Sequence, residues 1–162
     1  MLVVIGGIDS NWNYKRLSNV ELVTPSSNND ECDPTDLNEE VAYHASVLSP
    51  EGNIVTCGGE DKKRNRLSKC QIQTSTGETL SFPSMIHKRS SFRMSIIDGT
   101  LYAIGGNPSY KQMESLNIKT GDQWKEEAYL PFRVAGHCVV TINNKIVVIG
   151  GDNGMVCKIK FY

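Results

Sequence analysis

The sequence predicts an all-β protein built from repeated four-stranded antiparallel sheets, and three observations carry that prediction. An apolar run closed by a glycine doublet occurs four times. The doublets recur at a near-constant period, with Gly6, Gly58, Gly105 and Gly150 standing 52, 47 and 45 residues apart. Between them lie short apolar stretches of strand length separated by turn residues, and no long segment of helical periodicity competes.

Taken in order, the elements line up on those doublets. The run Val3-Val4-Ile5 ends at Gly6-Gly7, and Arg16 to Thr24 follows as the next strand. The second unit reads as a strand from Tyr43 to Leu48, a turn Ser49-Pro50-Glu51-Gly52-Asn53, and the run Ile54-Val55-Thr56-Cys57 before Gly58-Gly59. Arg66 to Thr74 matches Arg16 to Thr24 in one register, and Glu78 to Phe82 follows the turn Thr76-Gly77. The third unit repeats this with Met94 to Ile97, Asp98-Gly99, Leu101-Tyr102-Ala103-Ile104, Gly105-Gly106, Gln112 to Lys119 and Gln123 to Glu127. The fourth has Cys138 to Ile142, Asn143-Asn144, Ile146-Val147-Val148-Ile149, Gly150-Gly151 and Met155 to Phe161. Asp-Gly and Asn-Asn tolerate the positive φ of two-residue hairpin turns. With its strands lettered a to d, each unit is a sheet of the size and period of a β-propeller blade. The chain therefore reads as one propeller arc: a partial blade over 1–38, blades over 41–86 and 88–131, and a partial blade over 133–162. Leu2, Val4, Val156 and Ile159 are expected on uncovered end faces, which invites self-association.

Composition narrows the function. The 17 Lys and Arg nearly balance the 18 Asp and Glu, for a net charge of -1 over 162 residues. That argues against a basic nucleic-acid binder. At 39% hydrophobic the chain is apolar enough to pack. No apolar run approaches a membrane span, and Gly6-Gly7 cuts short the apolar start, so a leader is not expected. The five cysteines, Cys32, Cys57, Cys70, Cys138 and Cys157, are odd in number and contain no C-x-x-C pair. They predict buried free thiols in a reducing compartment and no zinc site. The expected location is cytoplasmic, with a nuclear role for the basic run at Lys62 as a lesser alternative.

The units resemble the kelch repeat. That family's marks are a double glycine ending strand b, an aromatic in strand c and a Trp in strand d. The third unit carries them best, with Gly105-Gly106, Leu116 near the aromatic position, and Trp124 before Leu130-Pro131. Arg133-Val134-Ala135-Gly136-His137 resembles the opening of a kelch strand a. The array departs from the pattern where Leu80 and Cys32 replace the Trp. The glycines Gly6, Gly7, Gly58, Gly59, Gly105, Gly106, Gly150 and Gly151 read as structural: no phosphate-loop motif is present and no helix follows.

In an antiparallel blade the b–c and d–a connections emerge on one face, and long loops on a rigid scaffold are where recognition sits. The partner-binding candidates are Trp12, Tyr14 and Tyr110, the cations Lys62, Lys63, Arg64, Arg89, Arg93 and Arg133, and the histidines His44 and His137. Arg and aromatic side chains suit interaction hot spots, and this set suits an acidic protein or peptide. The bland reading weighs against it: Lys62 to Arg66 as a solvated loop, Arg89 and Arg133 paired with acids of neighbouring blades, and the acids from Asp30 to Glu40 solvated. Trp124 is expected in the core, and Cys57 and Cys138 as inert packing in their strands.

No catalytic motif, metal site or cofactor site is recognisable, so a non-enzymatic chain without cofactor is expected. By resemblance, kelch propellers that follow BTB and BACK domains present substrates to a cullin ubiquitin ligase, and others bind actin or scaffold the cytoskeleton. The competing class is an enzyme on a kelch scaffold, an oxidase of the galactose oxidase type or a sugar mutarotase.

Overall fold

The computed structural model describes residues 2–8, 16–23, 40–121, 123–151 and 157–159. These residues are all-β. The first sheet is a hairpin of β1 (Leu2–Ile8) and β2 (Arg16–Val23). The second joins β3 (Ala45–Leu48), β4 (Ile54–Cys57), β5 (Cys70–Gln73) and β6 (Thr79–Phe82) in sequence order. The third joins β7 (Arg93–Ile97), β8 (Thr100–Ile104), β9 (Met113–Asn117) and β10 (Lys125–Glu126) in the same way. The fourth holds β11 (Cys138–Ile142), β12 (Lys145–Ile149) and β13 (Cys157–Ile159). Every pairing is antiparallel.

Several strands are shorter than the sequence predicts, β9 and β10 among them, and two of them for evident local reasons. Strand β3 starts at Ala45 because Tyr43 has φ of 58°, which a ladder residue cannot adopt. Strand β5 starts at Cys70 because Arg66 bridges Glu60, and Leu67 donates its N–H to the Gly59 carbonyl at 2.9 Å instead. The two-residue turns form as read: Asp98 and Gly99 have φ of 48° and 73°, Asn143 and Asn144 50° and 54°. That double positive φ twists with the strands it joins.

The apolar cores lie between successive sheets. Val55, Cys57, Phe92, Leu101, Leu116 and Trp124 fill the space between the second and third sheets. Ile97, Ile104, Val134, Ile146 and Val148 fill that between the third and fourth. Trp124 is buried as expected, and its Nε1–H donates to the Pro83 carbonyl at 2.8 Å.

The glycine doublets are where one sheet receives the next. Gly105 has φ of +59°, and a Cβ there would lie 2.7 Å from the Val134 carbonyl oxygen of the following unit. The next residue, Gly106, donates its N–H to that same carbonyl at 2.9 Å. Gly58 and Gly59 take Arg89 in the same way, a Cβ on Gly58 falling 2.7 Å from the Arg89 carbonyl and Gly59 N–H donating to it at 2.9 Å. A second seam runs closer to the inner strands: Ser91 N–H donates to the Tyr43 carbonyl and Gly136 N–H to the Ser91 carbonyl, both at 2.8 Å. Strand β3 accordingly lies against β7, and β7 against β11.

The cysteines correct the expectation of free buried thiols. Cys57 and Cys70 stand opposite each other on β4 and β5 and form a disulfide with a Cα–Cα distance of 4.1 Å. Adjacent strands bring such facing residues within disulfide reach, a pairing that the 13-residue separation does not reveal. Cys138 is free but exposed rather than packed, because the outward face of β11 is uncovered.

Candidate functional site

The b–c and d–a connections do share one face. The second unit's b–c loop is tied to flanking segments by Ala42 N–H to Glu60 O at 3.1 Å and Arg89 N–H to Leu67 O at 3.0 Å. The third unit's b–c loop is tied by Asn107 N–H to Ser90 O at 2.8 Å and Val134 N–H to Tyr110 O at 3.1 Å.

On this face the basic run is a built turn. Asp61 Oδ1 accepts the N–H groups of Lys63 and Asn65, each at 2.8 Å, and its Oδ2 accepts from Asn65 Nδ2 at 2.9 Å. These bonds, the Asn65 side chain first, hold the Asp61 carboxyl below the usual range. Arg64 takes φ of 64° to close the turn, and Lys62, Lys63 and Arg64 project outward, all exposed. In the next b–c loop the Arg133 guanidinium lies 4.2 Å from the Tyr110 ring centroid, a cation–π contact that joins two of the candidates. Across the described connections 60–69, 83–92, 107–112 and 127–137, seven cations are exposed, Lys62, Lys63, Arg64, Lys69, Lys88, Lys111 and Arg133, while the acids Glu60, Asp61 and Glu127 are partly buried, Asp61 being engaged by its own turn. His87 is tied instead to Glu126, Nε2 to Oε1 at 3.0 Å.

The other candidates are placed differently. Arg89 is fully buried and is no surface contact. Its Nη2 meets Glu114 Oε1 at 2.5 Å, and its Nη1 donates to the carbonyls of Gly105 at 2.7 Å and Gln112 at 3.1 Å. Glu114 also accepts from the N–H groups of Ile86 at 2.6 Å and His87 at 3.3 Å. The pair thus clamps the d–a segment onto β9. His137 is fully buried too, and both ring nitrogens lack a hydrogen-bond partner. Desolvation, and then the nearby Arg93 charge, push its pKa down to about 4. Its ring sits over Gly105 as Phe92 sits over Gly58. His44 and Arg93 are half-buried, and Arg93 Nη1 donates to the Phe92 carbonyl at 2.8 Å. Trp12 and Tyr14 lie outside the described residues, while Gly6 and Gly7 lie within β1. Among the described residues no group of three or more His, Cys, Asp or Glu is placed to hold a metal.

One residue that shapes this site escaped the sequence reading. Glu114 is a buried acid inside a strand, and its signal is Gln71, a polar residue at the same cross-strand register, opposite Thr56 as Glu114 is opposite Ala103.

Comparison with known proteins agrees with the repeat. The Kelch motif family model matches residues 133–160. Kelch-like protein 40 of Xenopus tropicalis is 28% identical over 139 residues, covering 78% of this chain and 22% of the relative. Kelch repeat and BTB domain-containing protein 2 of cowpox virus (strain GRI-90 / Grishak) is 26% identical over 117 residues, 70% of this chain and 21% of the relative. The chain thus spans about a fifth of the length of these curated relatives. The solved structure of YjhT superposes with a TM-score of 0.78 at 15% identity, over 92% of this chain and 55% of that one. This corrects the expectation of a non-enzymatic chain. The shared architecture carries enzymes as well as binding modules, so a lack of catalytic motifs does not class the chain.

Proposed function

We propose that this chain, whose residues 133–160 match the Kelch motif and whose sheets are β-propeller blades, is a protein–protein interaction module that takes an acidic partner segment on the face of its b–c and d–a loops. The observation that carries this reading is the excess of positive charge on that face: seven cations are exposed there among the described residues, the Asp61 carboxylate is taken up by its own turn, and Arg133 is presented over Tyr110. Arg and Lys pair with carboxylates through charge-assisted bonds, and an aromatic beside them supplies apolar area at low entropic cost. The relatives with kelch and BTB domains support an adaptor role of the kind that delivers substrates to a cullin ligase, with cytoskeletal scaffolding as the second reading.

The test is a peptide-display selection on the immobilised chain. Enriched peptides should be rich in Asp and Glu, and binding should weaken with salt. The combined reversal Lys62→Glu, Lys63→Glu and Arg133→Glu should lower affinity at least tenfold at an unchanged melting temperature. Selection of peptides without acidic bias, or binding indifferent to the reversals, would sink the proposal.

A further inference from the structure

The second unit closes the stem of its b–c loop covalently, and the third closes its own without a covalent bond. Cys57 ends β4, Cys70 begins β5, and their disulfide is the last rung of the ladder before the loop 58–69. The corresponding rung of the third sheet pairs Ile104 with Met113. All four side chains are buried. The fold therefore asks only for two apolar side chains at this place, and a pair of thiols meets that need as small hydrophobic groups. The covalent bond is additional to the core.

What the bond adds lies in the loop. The second unit's loop is the longer, 58–69 against 105–112, and it presents the exposed Lys62, Lys63 and Arg64. Its stem is otherwise held by backbone bonds, among them Gly58 N–H to Lys69 O and Leu67 N–H to Gly59 O, both at 2.9 Å. The same stem docks the following d–a segment, through Met85 N–H to Ser68 O at 2.8 Å and Arg89 N–H to Leu67 O at 3.0 Å. A cross-link at this rung removes conformations in which the stem is splayed.

We propose that Cys57 and Cys70 are a reversible redox staple at the base of the basic loop. Oxidised, the pair holds the loop and its cations in the arrangement that receives an acidic partner. Reduced, the sheet stays folded and the stem loosens. The effect on binding rests on the acidic-partner reading; the staple itself does not. Glutathione disulfide is the oxidant: one cysteine thiolate attacks it and releases one glutathione, and the second thiolate then displaces the other. The chain loses two electrons and two protons, and two glutathione molecules are formed. Cys57 and Cys70 are each 1% exposed, so exchange in either direction passes through opening of the stem. By linkage, a partner that prefers the oxidised form shifts the thiol–disulfide equilibrium by the factor by which that form binds it more tightly.

The experiment equilibrates the chain in mixtures of reduced and oxidised glutathione. The redox state is read by acid quench, alkylation and mass, and each form by amide hydrogen exchange. The pair should convert fully between excess oxidised and excess reduced glutathione. On reduction the amides of Gly58, Leu67 and Met85 should exchange at least tenfold faster, while those of β8 keep their protection. Cys57→Ala with Cys70→Ala should show the faster exchange in every mixture. A poly-glutamate peptide should bind the oxidised chain at least fivefold more tightly and, at saturation, shift the midpoint by that same factor. Equal exchange of the stem amides in the two forms would overturn the proposal. So would a pair locked in one state, or loss of protection throughout the sheets on reduction. A peptide that binds neither form would sink the acidic-partner reading, and the exchange data would then decide the staple alone.

Discussion

Arg89 and His137 both enter the interior, and the chain treats them differently. Arg89 arrives with an acid and two carbonyls, and removing one partner of such a pair typically costs about 3–5 kcal/mol because the other charge is left buried. His137 arrives with nothing, so its neutral form alone is tolerated. Its native pKa is lowered to about 4 from 6.5. The unfolded chain therefore takes up a proton at this residue as pH falls below 6.5, and the native chain does so only near 4. Stability is full above pH 6.5, is lost by up to about 1.4 kcal/mol per unit on the way down, and levels off below 4. Phe92 shows what an uncharged ring does at the equivalent place. His137→Phe should fold, and its stability drop between pH 7 and pH 5 in urea unfolding should be smaller than that of the natural sequence by about 2 kcal/mol. Equal drops in the two proteins would show that His137 is not the group that titrates.

The glycine doublet does its work at the scale of the element, and two copies of it allow a controlled comparison. Gly105 and Gly150 have φ of +59° and +70°, so an alanine pays the left-handed penalty at either place. A Cβ on Gly105 meets Val134 at 2.7 Å, whereas one on Gly150 meets nothing within 4 Å. Gly150→Ala should cost about 1 kcal/mol, from backbone conformation alone. Gly105→Ala should cost a further ~1–3 kcal/mol as the next sheet is pushed away. Urea unfolding of the two variants checks the difference, and equal costs would mean that the close approach at Gly105 is not rigid. The same doublets made the fold legible. Their period, the Asp-Gly and Asn-Asn turns and the apolar strand b runs are local signals, and they placed most strands to within a few residues. What escaped depends on partners distant in the chain. Arg89 reads equally as a surface cation or as the partner of an acid in a neighbouring blade, and the acid that reaches it, Glu114 on β9, belongs to its own unit. Cys57 and Cys70 read as separate thiols until two strands set them opposite each other.

At the scale of the molecule, the fourth sheet poses a physical problem. Val140, Ile142 and Ile149 are 42%, 55% and 41% exposed. Their counterparts in the third sheet, Ser95, Ile97 and Ile104, lie buried beneath the fourth sheet at 8%, 9% and 0%. The open space beside Gly150 sits at the rim of the same face, where Gly105 receives Val134 one sheet earlier. An apolar sheet face with an empty glycine socket is built to be covered, and uncovered it drives association. Such a contact is heterologous, because the surface that fits this face is the leading edge of another blade and not a copy of the face itself. Association through it tends to run on rather than stop at a symmetric dimer. The chain should therefore show a mass in light scattering that climbs with concentration, and Val140→Lys with Ile142→Glu should hold it monomeric while its circular dichroism stays that of a β-sheet protein. A natural sequence that remains monomeric up to high micromolar concentration would show that this face does not drive association, and a double variant that still associates would place the sticky surface elsewhere.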